Sequence, residues 1–136
     1  MNIALMAHDK KKELMVQFCT AYKSILMKHT IYATATTGRL VGENTGLPVT
    51  LLTHKYGGQQ QIDARIAYNE IDLVILLTDH NNTDPEEDRC LVETIRNCDR
   101  QHVPIATNLA SAELAIMGLQ RGDLDWREMV RSKPRF

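Results

Sequence analysis

The stretch "DLVILLT", residues 72–78, decides the fold of this chain. Between its first and last residues it is apolar at every position, so it lacks the alternation of a strand that exposes one side to water. A continuous apolar run of this length is typical of a strand in a parallel sheet that helices cover on both faces. The stretch therefore predicts an α/β protein.

Four further runs have the length and composition of strands, and amphipathic helical patterns separate them. The predicted strands are "NIALMA" (2–7), "TIYATA" (30–35), "VTLLT" (49–53) and "VPIATN" (103–108). The predicted helices cover residues 14–26, 37–43, 59–69, 89–100 and 111–122. This alternation predicts a single domain, residues 1–136, with a doubly wound, mostly parallel five-stranded sheet. The tail, residues 125–136, is expected to pack on the sheet or on a neighbouring subunit.

The composition excludes several classes of function. A formal net charge of −1 offers no electrostatic reason to expect nucleic acid or an anionic membrane as a partner. The three cysteines lack C-x-x-C spacing, and His8, His54 and His80 fall on separate loops, so neither a metal site nor a cofactor is expected. No apolar run reaches membrane-spanning length, and a strand from residue 2 leaves no room for a signal peptide. A cytoplasmic protein is expected.

The stretch "TATTG", residues 34–38, predicts an anion site. Ligands of open α/β sheets bind at the carboxyl ends of the strands, and this stretch follows the second strand. Its three threonine hydroxyls lie beside the free N–H groups of a helix's first turn, which favour an anion. Helix capping by Thr36 or Thr37 is the competing interpretation, but it explains one threonine and not three.

Two further features belong to the same edge of the sheet. Lys12 and His8 follow the first strand, where an ammonium could approach the anion and an imidazole could donate to a substrate oxygen. Gly57 and Gly58 would let the backbone approach a ligand closely, although a plain loop turn uses glycines equally well. Together these residues predict a bound anion, either a phosphate or a carboxylate group.

The motifs "NIALMAHDKKK", "YATATTG", "GLPV", "GGQQQI", "DLVILL" and "VPIATNLASAEL" cover almost the whole chain. In their order and spacing the chain resembles the methylglyoxal synthases. The resemblance implies a homohexamer of α/β domains that eliminates phosphate from dihydroxyacetone phosphate to give methylglyoxal. The same fold also serves as an allosteric domain in carbamoyl phosphate synthetase, so a regulatory binding module stays open, as does a different reaction in the same pocket.

The resemblance also implies which residues form the site. It assigns the substrate phosphate to Lys12, Thr34, Ala35, Thr36, Thr37 and Thr53, with the glycines Gly57 and Gly58 beside them. His8 matches the family histidine that lies next to the substrate's carbonyl oxygen. His54 stands where the family has a glycine that meets the phosphate.

The chain departs from the family pattern at its catalytic base. The family's aspartate is Gln59 here, and a neutral amide cannot accept a proton from carbon. Asp63 replaces a family glycine one helical turn later.

The loop after the fourth strand differs from the family as well. Asp79 is kept, but Glu86 or Glu87 stands where the family has a histidine, and Asp88 is close enough to replace a second family aspartate. Either one of these three carboxylates or His54 has become the base, or the pocket binds without the family reaction. The replacements are polar, which indicates a pocket that still meets a hydrated ligand.

Overall fold

The strands form one five-stranded parallel sheet. The computed structural model describes residues 1–53 and 58–132, without the side chain of Ser132. The strands are β1 (Asn2–Ala7), β2 (Thr30–Thr34), β3 (Val49–Leu52), β4 (Leu73–Leu77) and β5 (Ile105–Ala106), in the order β3-β2-β1-β4-β5. Every pairing is parallel, which confirms the predicted doubly wound sheet and extends it from mostly to wholly parallel.

Seven helices connect and flank the strands. They are α1 (Lys12–Ala21), α2 (Lys23–Leu26), α3 (Ala35–Thr45), α4 (Gln59–Ala67), α5 (Pro85–Gln101), α6 (Leu109–Arg121) and α7 (Asp125–Ser132) within the described ranges. A 3₁₀ turn, Asp9–Lys11, precedes α1, and the helix predicted over residues 14–26 is divided at Tyr22. In residues 1–53 and 58–132 no helix combines the length and the apolar character that crossing a bilayer requires.

The sheet is buried on both faces. In β1, Ile3 and Leu5 join a core formed with α1, α3 and α6, whereas Ala4 and Met6 join the core of the opposite face. Helices α4 and α5 cover that opposite face. All five residues of β4 are buried, as its continuous apolar sequence predicts.

Helix α5 begins four residues before its predicted start at Arg89. Asp84 is its N-cap and accepts a hydrogen bond from the N–H of Glu86, and Pro85 occupies the first turn. This start signal was present in the sequence, since an aspartate followed by proline and acidic residues is a common helix beginning. The acidic residues expected in a loop therefore lie on the first turn of a helix.

Helix α7, the described part of the tail, packs against the same chain at the end of the sheet opposite to the carboxyl ends of the strands. Arg127 of α7 is 3% exposed and forms an ion pair with Asp72, which is 0% exposed and precedes β4. The guanidinium also donates to the carbonyls of Gln101, His102 and Ile71. These bonds leave the carboxyl edge of the sheet open for a site.

Candidate active site

The strand order reverses between β1 and β4, so the loops after these two strands diverge and leave a crevice. His8 follows β1, and its backbone N–H donates to the carbonyl of Leu77 at 3.0 Å. The backbone N–H of Asp79, after β4, donates to Nδ1 of His8 at 3.0 Å. Because Nδ1 is an acceptor, the neutral imidazole carries its hydrogen on Nε2 and can donate it to a ligand.

A cavity of about 160 Å³ lies at this edge of the sheet. Its described lining residues are Met6, Ala7, His8, Asp9, Lys12, Thr34, Gln59, Leu76, Glu86, Glu87, Cys90 and Leu91. They come from the ends of β1, β2 and β4, from the 3₁₀ turn after β1 and from the N-terminal parts of α1, α4 and α5. Six of them were predicted from the sequence as site residues. An ammonium, an imidazole, an amide and several carboxyl groups therefore meet in one small space.

Lys12 is held at the cavity by two hydrogen bonds. Its Nζ donates to the carbonyl of Ala7 at 3.2 Å and to Oδ1 of Asp9 at 2.7 Å, and its side chain is 16% exposed. The hydrogen bond from Lys12 holds the pKa of the Asp9 carboxyl below its usual value. Asp9 was not predicted as a site residue, although it stands between His8 and the lysines. The ammonium has a third N–H, so it can also bind an anion.

The first turn of α3 supplies free donors. Thr34 is the N-cap and Ala35, Thr36 and Thr37 follow it, so the N–H groups of these three residues have no carbonyl one turn back. Ala35 was predicted to end β2 and is instead the first residue of the helix, and neither Thr36 nor Thr37 is the cap. Thr37 is 1% exposed, and within the described residues its Oγ1 has no hydrogen-bond partner. Of the described lining residues of the cavity, Thr34 is the one threonine.

Gln59 begins α4 and is tied to residues behind the cavity. Its Nε2 donates to Oγ1 of Thr94 at 3.0 Å, and that hydroxyl donates to Oδ1 of Asp63 at 2.7 Å. Burial raises the pKa of the Asp63 carboxyl, the hydrogen bond from Thr94 opposes this rise, and the charge of Glu93 adds to it. Thr94 is fully buried and was not identified from the sequence, where a threonine inside a long polar helix gives no signal.

The acidic residues at the start of α5 differ in their surroundings. Glu86 forms an ion pair with Arg89, whose hydrogen bond holds the pKa of the Glu86 carboxyl below its usual value. Glu87 accepts a hydrogen bond from the neutral amide of Asn82. Asp88 is exposed and is not among the described residues that line the cavity. The structure therefore brings two of the three predicted carboxylates into the site.

The remaining predicted residues lie at the margin of the cavity. Asp79 is half-buried, and its Oδ1 accepts from the N–H of Asn81 at 3.0 Å. Thr53 is exposed directly after β3, and its carbonyl accepts a hydrogen bond from Gln61. His54 and Gly57 lie outside the described residues, so their predicted roles stay predictions. In the described part of the chain, no three His, Cys, Asp or Glu side chains are grouped so that they could hold a metal ion.

Gly58 is buried where α4 begins, against the end of β3 and the start of α3. A Cβ atom on this residue would lie 2.0 Å from the carbonyl oxygen of Leu52 and 3.3 Å from Cα of Thr34. Both neighbours are backbone atoms, so they cannot rotate away. The site therefore requires a glycine here because there is no space for a Cβ atom. The backbone conformation is not the reason, since any residue can adopt the φ angle of −84°.

Replacing Gly58 by alanine is expected to lower the free energy of unfolding by about 1–3 kcal/mol, the cost of overpacking. Thermal unfolding measures this change. Gly42→Ala is the matched control, since its Cβ would meet nothing closer than the Leu47 carbonyl at 3.8 Å inside a helix. We expect the control to be as stable as the original chain or more stable. Equal melting of the Gly58 variant and the original chain would contradict the packing described here.

Comparisons with known proteins agree with the fold. A family model described as "MGS-like domain" matches residues 14–107. A methylglyoxal synthase of Caldicellulosiruptor saccharolyticus is 58% identical over 98% of this chain and 94% of its own length. A methylglyoxal synthase of Alkaliphilus metalliredigens is 50% identical over 98% of this chain and 99% of its own. The crystal structure of methylglyoxal synthase from Elizabethkingia anophelis superposes with a TM-score of 0.75 at 33% identity, covering 85% of this chain and 76% of that one. The chain belongs to the methylglyoxal synthase family.

Proposed function

We propose that this protein is a lyase that eliminates phosphate from dihydroxyacetone phosphate and releases methylglyoxal. The relatives named methylglyoxal synthase support the activity. The single observation that carries the proposal is the cavity itself, because Lys12, His8 and Glu87 all line it and offer an ammonium, an imidazole and a carboxylate. A triose phosphate needs these three kinds of group: a cation for phosphate, a donor for the carbonyl oxygen and a base for a C–H proton.

The phosphate is proposed to bind between Lys12 and the first turn of α3. The free N–H groups of Ala35, Thr36 and Thr37 and the positive end of the helix dipole favour a doubly charged anion. Within residues 1–53 and 58–132 the buried hydroxyl of Thr37 has no partner, which supports this position, since such a hydroxyl costs free energy that a ligand oxygen would recover. Thr53, His54 and Gly57 complete the phosphate site in the proposal, with Gly58 as the small residue that gives it room.

His8 is proposed to donate its Nε2 hydrogen to the carbonyl oxygen of the substrate. When a proton leaves the neighbouring hydroxymethyl carbon, the electron pair of the C–H bond moves into an enediolate, and His8 stabilises the charge on oxygen. The C–O bond to phosphate then breaks, and phosphate leaves with the electron pair of that bond. As phosphate leaves, the substrate's hydroxyl gives its proton to the phosphate and becomes the aldehyde, and the enolate that remains takes up a proton on carbon and becomes methylglyoxal.

Glu87 is the base in this proposal. It lines the cavity and accepts a hydrogen bond from a neutral amide, whereas Glu86 is paired with Arg89. A carboxylate whose pKa is lowered by a cation is a weaker base, which disfavours Glu86. Asp88 faces solvent, and Asp79 is proposed to orient the imidazole of His8 through its backbone N–H and not to act on substrate carbon.

A regulatory module that binds a phosphorylated metabolite is the second candidate. One observation favours it, namely that Gln59 presents a neutral amide to the cavity where the family has its base. Pure protein with dihydroxyacetone phosphate distinguishes the two candidates, with methylglyoxal and inorganic phosphate measured together. Equal amounts of both products support the lyase. Stabilisation against heat by the substrate, with neither product formed, supports the binding module.

The homohexamer and the cytoplasmic location are likewise proposals. Leu114 and Met117, one turn apart on α6, are 75% and 42% exposed, and such an apolar face is suited to contact with a second copy of the chain. The thiols of Cys19, Cys90 and Cys98 are free, which suits a reducing compartment.

Replacing Leu114 by glutamate is expected to reduce the mass of the particle in solution, because a charge in an apolar contact is costly. Light scattering after gel filtration measures the mass. Thermal unfolding serves as the control, since an exposed position should tolerate glutamate within the single chain. An unchanged mass would remove this face of α6 from the proposed interface.

A further inference from the structure

Asp63 and Gln59 lie on the same side of α4, one helical turn apart. Thr94, from the facing side of α5, lies between them and is completely buried. Two departures of this chain from the family pattern are thus joined through one hydroxyl group. Position 59 lacks the family's carboxylate, and this chain has a carboxylate at position 63 instead, behind the cavity.

The direction of each hydrogen bond follows from the chemistry of the three groups. An ionised carboxylate only accepts hydrogen bonds. The hydroxyl hydrogen of Thr94 must therefore point to Oδ1 of Asp63, which lies 2.7 Å from the Thr94 oxygen. The oxygen of Thr94 can then only accept from the atom of Gln59 at 3.0 Å, which must be the amide nitrogen and not the oxygen. The oxygen of the Gln59 amide consequently lies on the other side of the planar group.

We propose that Asp63 and Thr94 are positioning residues that hold the Gln59 amide with Oε1 toward the cavity, where it accepts a hydrogen bond from a substrate hydroxyl. This inference rests on the proposed function, because dihydroxyacetone phosphate carries one free hydroxyl that needs such an acceptor. A neutral acceptor binds this hydroxyl without placing a negative charge beside the developing enediolate. Gln59 thereby becomes a residue that orients the substrate, and Glu87 keeps the proton transfer.

Thr94→Val tests the positioning, with Thr94→Ser as its matched control. Valine keeps the shape but removes the hydroxyl, so the Gln59 amide is free to rotate, whereas serine keeps the hydrogen bonds. We expect kcat/KM for dihydroxyacetone phosphate to fall roughly 10-fold in the valine variant, the size of one hydrogen bond, and to stay within about 2-fold in the serine variant. The dissociation constant of inorganic phosphate should change in neither, since Lys12 and α3 are untouched. Equal kcat/KM in the valine and serine variants would overturn the proposal.

Asp63→Asn and Asp63→Ala separate positioning from a role of the charge. Asparagine offers an oxygen to the Thr94 hydroxyl without a charge, so it should keep most of the activity, while alanine should resemble Thr94→Val. Loss of activity in the asparagine variant as large as in the alanine variant would show that Asp63 acts through its charge, and would overturn the proposal.

A measurement without turnover keeps this inference separate from the proposed function. The side-chain NH₂ signals of Gln59 in a ¹⁵N–¹H spectrum, assigned by their loss in Gln59→Glu, report the hydrogen bond directly. We expect these signals to shift in Thr94→Val and to stay in place in Thr94→Ser. If the protein forms no methylglyoxal but its Gln59 signals shift in Thr94→Val, the proposed reaction is wrong and the proposed orientation of the Gln59 amide is supported. If the Gln59 signals do not shift in Thr94→Val, the proposed orientation of the amide is overturned, whatever the enzymatic activity.

Discussion

Replacing Glu87 by glutamine is expected to lower kcat for methylglyoxal formation by about 10²–10⁴-fold, the usual contribution of a general base. Glutamine has the same shape and can still accept the hydrogen bond from Asn82, but it cannot take a proton from carbon. KM should change little, because the phosphate and carbonyl contacts remain. Steady-state kinetics with dihydroxyacetone phosphate measure both quantities.

Asp88→Asn is the matched control, since it removes the neighbouring carboxylate from an exposed position outside the described lining of the cavity. We expect this variant to keep its rate. If Glu87→Gln keeps its rate as well, Glu87 is not the base. A Gln59→Asp variant then decides between two explanations: a large gain in rate shows that the original chain lacks an efficient base, and no gain points to another residue, such as His54.

Replacing Lys12 by alanine is expected to lower kcat/KM by about 10²–10³-fold, the effect of removing one group that stabilises developing charge. The ammonium is held in place by Ala7 and Asp9, so it is oriented before the ligand arrives. Phosphate carries more charge as it leaves, and the loss should therefore appear in kcat as well as in KM. The affinity for inorganic phosphate, measured by calorimetry, should fall in parallel.

Lys10→Ala is the control for the loss of a positive charge. Lys10 is exposed in the 3₁₀ turn and is not among the described residues that line the cavity. Its replacement by alanine changes the net charge by the same amount as Lys12→Ala does. We expect phosphate to bind this variant as it binds the original chain. Equal weakening by both substitutions would mean that Lys12 acts through the general field of the protein and not through contact.

The elements of the fold could be predicted because their signals are local. The apolar run of β4, the apolar residues four positions apart in α1 (Leu14 and Phe18) and Gly46, the C-cap of α3, are each signals formed by a few neighbouring residues. The start of α5 was missed although "DPEED" carries a regular start signal, because the same residues were interpreted through the family's loop. The location of the site at the carboxyl ends of the strands was predictable as well, since it follows from the βαβ alternation alone.

The sequence by itself thus determined the class of fold, the family and the edge of the sheet where ligand-binding groups gather. Only the tertiary structure decided which of those groups meet. Glu87 faces the cavity while Asp88 faces solvent, although the two are neighbours in the chain, because each helical residue is rotated by 100° from the last and packing selects one face. Thr94 reaches Gln59 across 35 positions through the packing of α5 on α4. A contact of this kind depends on how two helices are placed against a shared sheet, and a local pattern does not carry that information.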